Sequence, residues 1–583
     1  MTKKKNLEFY PIAVHFLLKW AQSCRGEAFA NRIDTDQVTS AQMLRPYFFL
    51  ASLYFRRSCL QSTLLPFMAR LQQPILAAAS GALLALAFPK GDVNLLAWIA
   101  FVPLLWVIRE HTPKRAFFYG WISGMGFYLC TVYWVVHTIG LYSNIPPLAA
   151  VGPLILMCTI LASYTGAFAA GLCLYQQRKG SIVLLGPLLW VTLEWLRSFF
   201  FIGFPWASLG YSQHNFLNII QCAEVTGVYG ISAVIILVNL VVFTVWQKRG
   251  IGCGRMLIAT VLLVFALSAW GAWRRAQLRA LPIAHHLRVG LIQGNVEQDK
   301  KWNPDFQEAT LARYERLTRE VAAQGVDLLI WPETAVPFFF QSDIPYQTRL
   351  LNLVREIKTP ILFGSVGWRA KGLTDVTLFN RAYLVSANAE VLGFYDKIQL
   401  VPFGEYVPFH NNVLFFLDKL VEGIGDFAAG TTPTVFALPQ EKFGVLICYE
   451  GIFPDLARRF VARGADFLVN ITNDAWFGRS SAPYLHLVME AMRAVENRVP
   501  LVRAANTGFS AVIDWDGQVR AQTALYETAF LVEDLAWPQV SSFYTAYGDL
   551  FAYMCALSVV AMLGYVYWQP RTDNRGGFHA SRG

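Results

Sequence analysis

Residues 443–450 read FGVLICYE, an apolar run that ends in a thiol, a phenol and a carboxylate. Short uncharged runs of this kind are typical of buried strands in layered α/β proteins. The pattern recurs along the chain, so several strands are predicted to end in polar or reactive side chains. The runs are Leu287–Gln293, Val326–Ile330, about 382–394, Phe443–Ile447 and Phe467–Ile471.

The composition shows that this α/β segment is only part of the molecule. The chain has 583 residues, of which 55% are apolar and 15% are charged, whereas soluble proteins carry about 25% charged residues. This excludes a disordered chain and opposes a wholly soluble one. The mean hydropathy of +0.38 indicates that much of the chain lies in lipid. The net charge of +10 is compatible with binding to nucleic acid, with binding to anionic lipid headgroups, or with basic cytoplasmic loops. The positions of the basic residues along the chain decide between these.

Long apolar stretches before and after the α/β segment predict eight membrane spans. They lie near 71–88, 94–109, 116–137, 148–174, 181–200, 218–246, 255–273 and 548–568. The predicted parts are an N-terminal extension (1–67), a seven-helix transmembrane region (68–280), a catalytic domain (287–537), a C-terminal transmembrane helix (545–570) and a cytoplasmic tail (571–583). The extension has no assigned role, and both an over-extended reading frame and a genuine cytoplasmic arm stay open.

Basic residues predict the orientation, because short loops rich in Lys and Arg stay in the cytoplasm. They cluster at 109–115, 178–179, 248–255 and 571–575, whereas 138–148 contains neither residue type. The catalytic domain follows seven spans and is therefore expected on the opposite face. Lys90 and the arginines at 274–279 oppose this orientation, although a large translocated domain tolerates charge better than a short loop does.

Cys448 is the one cysteine of nine that falls within 287–537, so no disulfide can form inside that domain. Two interpretations stay open at this point: a structural thiol packed as a small hydrophobe, or a nucleophile. A thiol with an ordinary pKa of about 8.5 needs a base or a nearby cation to react at neutral pH. Glu333 could take its proton, and Lys397 could stabilise the charge on sulfur or on an oxyanion.

Three motifs resemble signatures of the carbon–nitrogen hydrolase (nitrilase) superfamily. They are Trp331-Pro332-Glu333, Tyr395-Asp396-Lys397 and Leu446-Ile447-Cys448-Tyr449-Glu450, in matching order and spacing. The resemblance implies an α/β fold, an αββα sandwich inserted between membrane helices seven and eight. It also implies a triad of Glu333 as general base, Lys397 as charge stabiliser and Cys448 as nucleophile. Supporting roles are implied for Glu405, Tyr449 and Glu450, and a substrate contact for Trp302.

The membrane half adds Gly203-Phe204-Pro205-Trp206 and Gly210-Tyr211-Ser212-Gln213, and residues from about 70 to 570 resemble the apolipoprotein N-acyltransferase family. That resemblance implies transfer of a fatty acyl chain from a phospholipid, through a thioester on Cys448, to the α-amino group of the diacylglyceryl-cysteine of apolipoproteins. It also implies a bacterial inner membrane protein whose catalytic domain faces the periplasm.

The sequence predicts no cofactor or metal, since it contains neither a P-loop nor an HExxH motif. It predicts no nucleic-acid partner either, because no basic stripe with interleaved aromatic residues occurs in the α/β segment.

Two other functions stay open. One is a membrane-tethered amidase or nitrilase in which water accepts the acyl group, and the other is a transporter or lipid-binding protein with a degenerate enzyme domain. Glu194 and Arg197 are either an intramembrane functional site or a simple ion pair. His410 and His486 could serve a Cys-His hydrolase. Residues 473–478 are expected to shape the pocket.

Overall fold

The structure is a computed structural model that describes residues 71–142, 146, 148–200, 203–248, 250–298, 301, 303–371, 375–406 and 427–568. Contacts divide the chain into Met1–Gln73 and Pro74–Gly583, and the second unit contains both the membrane helices and the sheets. The extension at 1–67, Trp302, His410 and the tail at 571–583 lie outside the described residues.

Helices make up the described chain before residue 280, because apolar segments in lipid must bond their backbone groups internally. Their bounds are α1 Leu71–Ala85, α2 Val102–Ile108, α3 Pro113–Thr131, α4 Trp134–Tyr142, α5 Val151–Gln177, α6 Ile182–Phe199, α7 Leu217–Ile220, α8 Ala223–Thr226, α9 Val228–Gln247 and α10 Ile251–Arg279.

Twelve strands and six helices make up the described chain after residue 280. The strands are β1 His285–Gln293, β2 Leu328–Ile330, β3 Ile361–Lys371, β4 Asp375–Val385, β5 Val391–Asp396, β6 Val435–Ala437, β7 Lys442–Ile447, β8 Phe467–Thr472, β9 Leu501–Ala505, β10 Ala511–Ile513, β11 Val519–Gln522 and β12 Ala529–Trp537. The helices are α11 Pro304–Ala322, α12 Ile344–Ile357, α13 Pro454–Val461, α14 Ala482–Asn497, α15 Phe543–Tyr547 and α16 Leu550–Trp568.

The predicted strand at 382–394 is wrong as a single strand. It comprises the end of β4 and most of β5, which pair antiparallel. Ala389, at φ +63°, lies in the connection that turns the chain back.

Five described helices are long and apolar enough to cross a membrane, namely α5, α6, α9, α10 and α16. The pair α3 and α4, bent by 56° at a break, forms a sixth if it counts as one span. The predicted spans at 71–88 and 94–109 correspond to shorter apolar stretches, Leu71–Ala85 and Asn94–Ile108. An arrangement of eight spans therefore stays a proposal.

The predicted span at 218–246 begins late, at Val228. Gly227, at φ +61°, ends α8 and separates it from α9. Glu224 in α8 forms an ion pair with Arg498 of the α/β part. The residues before Val228 therefore belong to the junction between the two parts of the molecule.

Two six-stranded sheets form the α/β part, in the orders β12-β1-β2-β3-β4-β5 and β11-β10-β9-β8-β7-β6. The strands β1 to β3 and β7 to β9 run parallel. Side chains from both sheets, including Val289 of β1 and Val445 of β7, share one buried cluster. Helices α11 and α12 cover the first sheet, and α13 and α14 cover the second. The predicted αββα sandwich is confirmed.

Helix α14 lies between the second sheet and the membrane helices. Its Leu487 and Ala491 pack with the strands, whereas Leu485 and Met492 pack with apolar side chains of the membrane part. The two parts therefore share a core through one helix.

Candidate active site

Cys448 directly follows β7 and begins a short 3-10 helix. Its φ of +52° is left-handed, a conformation that costs a residue with a Cβ about 1–2 kcal/mol. Neighbouring elements hold its carbonyl oxygen, which accepts a hydrogen bond from Asn470 Nδ2 at 3.2 Å and lies 3.2 Å from His486 Nε2. Cys448 is therefore held in a strained conformation by β8 and α14.

Glu333 lies just after β2 and is 6% exposed. Its Oε1 accepts a hydrogen bond from Asn380 Nδ2 at 2.7 Å and lies 3.5 Å from Lys397 Nζ. Its Oε2 is buried and has no hydrogen-bond partner among the described residues. Buried carboxylate oxygens are normally paired, so this atom is available to take a proton.

The main chain of Glu333 passes close to Gly364 in β3. A Cβ at position 364 would lie 2.8 Å from Glu333 Cα and 2.4 Å from Thr334 N. Real Cβ atoms do not approach backbone atoms so closely, so the position requires glycine. The absence of a side chain on β3 therefore sets how deeply Glu333 lies in the site.

Lys397 follows β5 and is 1% exposed. Its Nζ lies 3.0 Å from Glu405 Oε1 as well as near Glu333. Burial alone would lower the pKa of Lys397, but the charges of Glu405 and Glu333 outweigh it and raise the pKa above the ordinary value. Lys397 therefore stays charged at physiological pH. Glu405 is held in turn by Asn380 Nδ2 at 2.9 Å and Val401 N at 2.7 Å.

The thiol of Cys448 is protonated at rest. Burial raises its pKa, and the negative charge of Glu333 raises it further, whereas Lys397 opposes the rise. Because the thiolate is the reactive form, the proton must leave during attack. Among the charges that act on this thiol, that of Glu333 is the strongest.

Glu450 connects the segment that carries Cys448 to the segment that carries Lys397. Its Oε1 accepts hydrogen bonds from Tyr395 Oη at 2.7 Å and from the main-chain N–H groups of residues 398 and 399 at 2.7 and 3.0 Å. Its Oε2 accepts from Ile447 N at 2.7 Å. Burial raises the pKa of Glu450 to about 7. Glu450 therefore joins the main chain before Cys448 to the main chain after Lys397.

Tyr449 connects the site to the membrane segment 203–213. Its hydroxyl lies 3.5 Å from Gly203 O, to which it donates. In the same segment the ring of Trp206 lies 5.9 Å from that of His486. The Gly203–Trp206 motif of the membrane half therefore contacts the turn that contains Tyr449 and also helix α14.

Glu194 and Arg197 hold this same segment in place. Glu194 Oε1 accepts a hydrogen bond from Leu209 N at 2.5 Å, and Arg197 donates to Trp206 O at 2.6 Å and Ser208 Oγ at 3.1 Å. No ion pair joins the two side chains in the described part of the chain. Both therefore act on the loop that follows α6.

A buried cluster of charged side chains contacts the main chain of Cys448 through His486. Arg503 donates to Asp474 Oδ2 at 2.7 Å and pairs with Glu490. His486 Nδ1 lies 3.3 Å from Asp474 Oδ1. Burial would raise the pKa of Asp474, but Arg503 and His486 lower it to about 2. Because His486 Nε2 contacts the carbonyl of Cys448, this histidine is a support for the main chain.

Two polar side chains at the site were not singled out from the sequence. Asn380 binds both carboxylates, and Lys301 donates from Nζ to the main-chain oxygen of Glu333 at 3.0 Å. Burial lowers the pKa of Lys301 to about 8. Its position beside Trp302 was the available signal. In the described ranges, no group of three or more His, Cys, Asp or Glu side chains is placed to hold a metal ion.

The fold and its family models define the class of protein. The carbon-nitrogen hydrolase family model matches residues 288–543, and the model of the apolipoprotein N-acyltransferase N-terminal domain matches residues 80–241. The molecule is therefore a carbon–nitrogen hydrolase fold joined to a membrane domain.

More specifically, the chain belongs to the apolipoprotein N-acyltransferase family. A relative of that name from Geobacter metallireducens is 44% identical over 498 residues, which are 84% of this chain and 95% of the relative. One from Gloeobacter violaceus is 32% identical over 513 residues, 86% of this chain and 95% of the relative. An amidase of known structure from Nesterenkonia sp. is 22% identical, covers 47% of this chain and 95% of its own, and has a TM-score of 0.34.

Proposed function

We propose that the protein transfers a fatty acyl chain from a phospholipid to the α-amino group of the N-terminal diacylglyceryl-cysteine of apolipoproteins. Relatives over most of the chain carry the name of this activity. The observation that carries the proposed chemistry is Glu333 Oε2, a buried oxygen without a donor among the described residues, beside a protonated thiol and a charged lysine.

The first half-reaction forms an acyl-enzyme. Glu333 takes the proton of Cys448 as the sulfur attacks the ester carbonyl of the phospholipid. Lys397 stabilises the thiolate and then the oxyanion of the tetrahedral intermediate. When the carbon–oxygen bond breaks, the departing alkoxide takes the proton from Glu333. The products are a thioester on Cys448 and a lysophospholipid.

The second half-reaction releases the enzyme. The acceptor amine attacks the thioester carbonyl, and the carbon–sulfur bond breaks as the amide forms. Glu333 takes a proton from the amine and returns it to the sulfur. Aromatic side chains beside the site, including Trp206 and Phe477, exclude water and so favour transfer over hydrolysis.

The charged loops support an inner membrane protein with its catalytic domain in the periplasm. Two candidate spans separate the basic cluster at 109–115 from that at 178–179, and two more separate the latter from that at 248–255, counting α3 and α4 as one span. Such clusters mark the cytoplasmic side. Whether α1 and α2 cross does not alter this, because two crossings return the chain to the same side. An impermeant maleimide added to spheroplasts should label Lys442→Cys but not Gln176→Cys, as located by peptide mass spectrometry. The reverse labelling would contradict the orientation.

The acyl-enzyme is the direct test of the chemistry. Purified protein incubated with phospholipid should gain one acyl mass on the Cys448 peptide, and hydroxylamine should remove it. Addition of a diacylated lipopeptide should clear the adduct and yield the N-acyl peptide. Cys448→Ala should abolish both products. Cys130→Ala is the matched control, because this exposed cysteine lies in a membrane helix, and it should retain both.

The alternative functions predict other outcomes. Free fatty acid or ammonia without N-acyl peptide would favour the membrane-tethered amidase or nitrilase. A cellular function that survives Cys448→Ala would favour the transporter or lipid-binding protein with a degenerate domain.

A further inference from the structure

Lys301 is a buried lysine that the reaction described above does not use. Its side chain is 2% exposed, and its Nζ donates to Glu333 O at 3.0 Å. Burying an ammonium is costly unless negative charge lies nearby. Burial lowers the pKa of Lys301, whereas the charge of Glu333, and that of Cys448 when it is ionised, raise it. The charge of Lys301 therefore interacts with charged groups of the candidate active site.

The charges at the site balance when Lys301 is included. Glu333 and Glu405 contribute two negative charges, and Lys397 lies between them with one positive charge. A second cation makes the resting site neutral. When the thiol proton moves to Glu333, the negative charge moves to sulfur and the balance is kept.

The other charged groups around the thiol have partners of their own. Asp474, whose charge acts on the thiol, pairs with Arg503. Glu450 accepts hydrogen bonds from Tyr395 and from three main-chain N–H groups. His486 lies against Asp474 and the main chain of the nucleophile. Among the residues that the structure describes, Lys301 is therefore the group that offsets the second carboxylate.

We propose that Lys301 is a second cation of the active site, a positioning residue that holds Glu333 by its main-chain oxygen and stabilises the thiolate of Cys448. It acts from the connection between β1 and α11, whereas Lys397 acts from the end of β5. The inference rests on the triad roles in the proposed function, and it adds a group on which formation of the thiolate depends.

Alkylation of Cys448 tests this role without any substrate. The full chain in detergent is treated with iodoacetamide across pH 6–10, and the Cys448 peptide is quantified by mass spectrometry. Loss of a nearby opposite charge shifts a pKa by about 1 unit or more. Lys301→Met should therefore shift the pH profile of Cys448 alkylation to higher pH by about 1 unit and slow the alkylation about tenfold at pH 7. Lys442→Met, at an exposed lysine of β7, should leave the profile unchanged.

Lys301→Arg keeps a positive charge at position 301 while it changes the shape of the side chain. Arginine keeps its charge at every pH used, whereas Lys301 loses its proton near pH 8. The wild-type profile should therefore show an inflection near pH 8 that Lys301→Arg lacks, and the rate at pH 7 should stay close to wild type. This comparison decides the question even if Lys301→Met does not fold.

Two results would overturn the role of Lys301. One is a Lys301→Met profile that superimposes on wild type; the other is an inflection that persists unchanged in Lys301→Arg. Normal acyl transfer together with either result would reject Lys301 alone. Absent acyl transfer by a wild-type enzyme whose alkylation responds to Lys301 would reject the proposed function alone.

Discussion

Glu450 Oε1 lies 2.7 Å from the hydroxyl of Tyr395, and this hydrogen bond crosses from one sheet of the sandwich to the other. Glu333 and Lys397 follow strands of the first sheet, whereas Cys448 follows a strand of the second. Neither sheet alone can set the distance between Glu333 and Cys448. A buried carboxylate that binds both sides fixes it.

Glu450→Gln should slow acylation of Cys448 about 100-fold, because an amide cannot accept from donors on both of its terminal atoms and the two segments would separate. Single-turnover acylation followed by mass spectrometry measures this rate. Tyr395→Phe removes only one of the four bonds and should cost less than tenfold. Wild-type acylation by Glu450→Gln would contradict the bridging role.

Gly364→Ala should displace Glu333, since the new methyl group would overlap its main chain. We expect a loss of about 1–3 kcal/mol in the free energy of unfolding and at least a tenfold loss in acylation rate. Gly393→Ala in β5 is the matched control, because its Cβ would meet Phe436 no closer than 3.6 Å. Equal behaviour of the two variants would show that the close approach at Gly364 is unimportant.

Asp474 should make stability depend on pH in the acid range. Its pKa is lowered from 3.8 to about 2 by Arg503 and His486, against the effect of burial. A lowered carboxyl pKa stabilises the fold above the unfolded pKa, and this contribution, about 2 kcal/mol, is lost as the pH falls from about 4 to about 2. Unfolding of Asp474→Asn and wild type should therefore differ most at pH 5–7 and converge toward pH 2. A constant difference would contradict this assignment.

Tyr211→Phe should weaken the junction between the membrane helices and the sandwich. Its hydroxyl accepts a hydrogen bond from the buried Arg493 at 2.9 Å, and loss of the acceptor should cost about 1–2 kcal/mol in the free energy of unfolding. Thermal unfolding of the full chain in detergent measures this. Tyr547→Phe, at a tyrosine that is 60% exposed, should be neutral, and an equal effect of both changes would reject the role of Tyr211.

The sequence singled out three candidate site residues because each follows a buried strand. Lys397 and Cys448 directly follow strands, and Glu333 lies three residues after one. The structure brings Glu333 and Lys397 into contact beside the thiol. Their catalytic roles stay predictions, as does the substrate contact of Trp302. Lys301 escaped prediction because a lysine in a polar connection has no periodic pattern, and only tertiary packing buries it.

Local sequence also failed at two places where the chain turns between elements. The connection of β4 and β5 contains neither glycine nor proline, and Ala389 adopts the left-handed conformation instead. The residues before Gly227 include the polar Asn218, Gln221 and Glu224. The ion pairs of Glu224 with Arg274 and Arg498 come from distant parts of the chain. A hydropathy profile cannot reveal ion pairs between residues that are distant in the sequence.

The placement of α14 has a consequence for biogenesis. Its Leu485, Val488 and Met492 are covered only when the bilayer-embedded helices have assembled. A soluble fragment cut at residues 285–537 would expose these side chains to water and aggregate. We therefore expect the sandwich of a newly made chain to complete its folding only after the membrane helices have inserted.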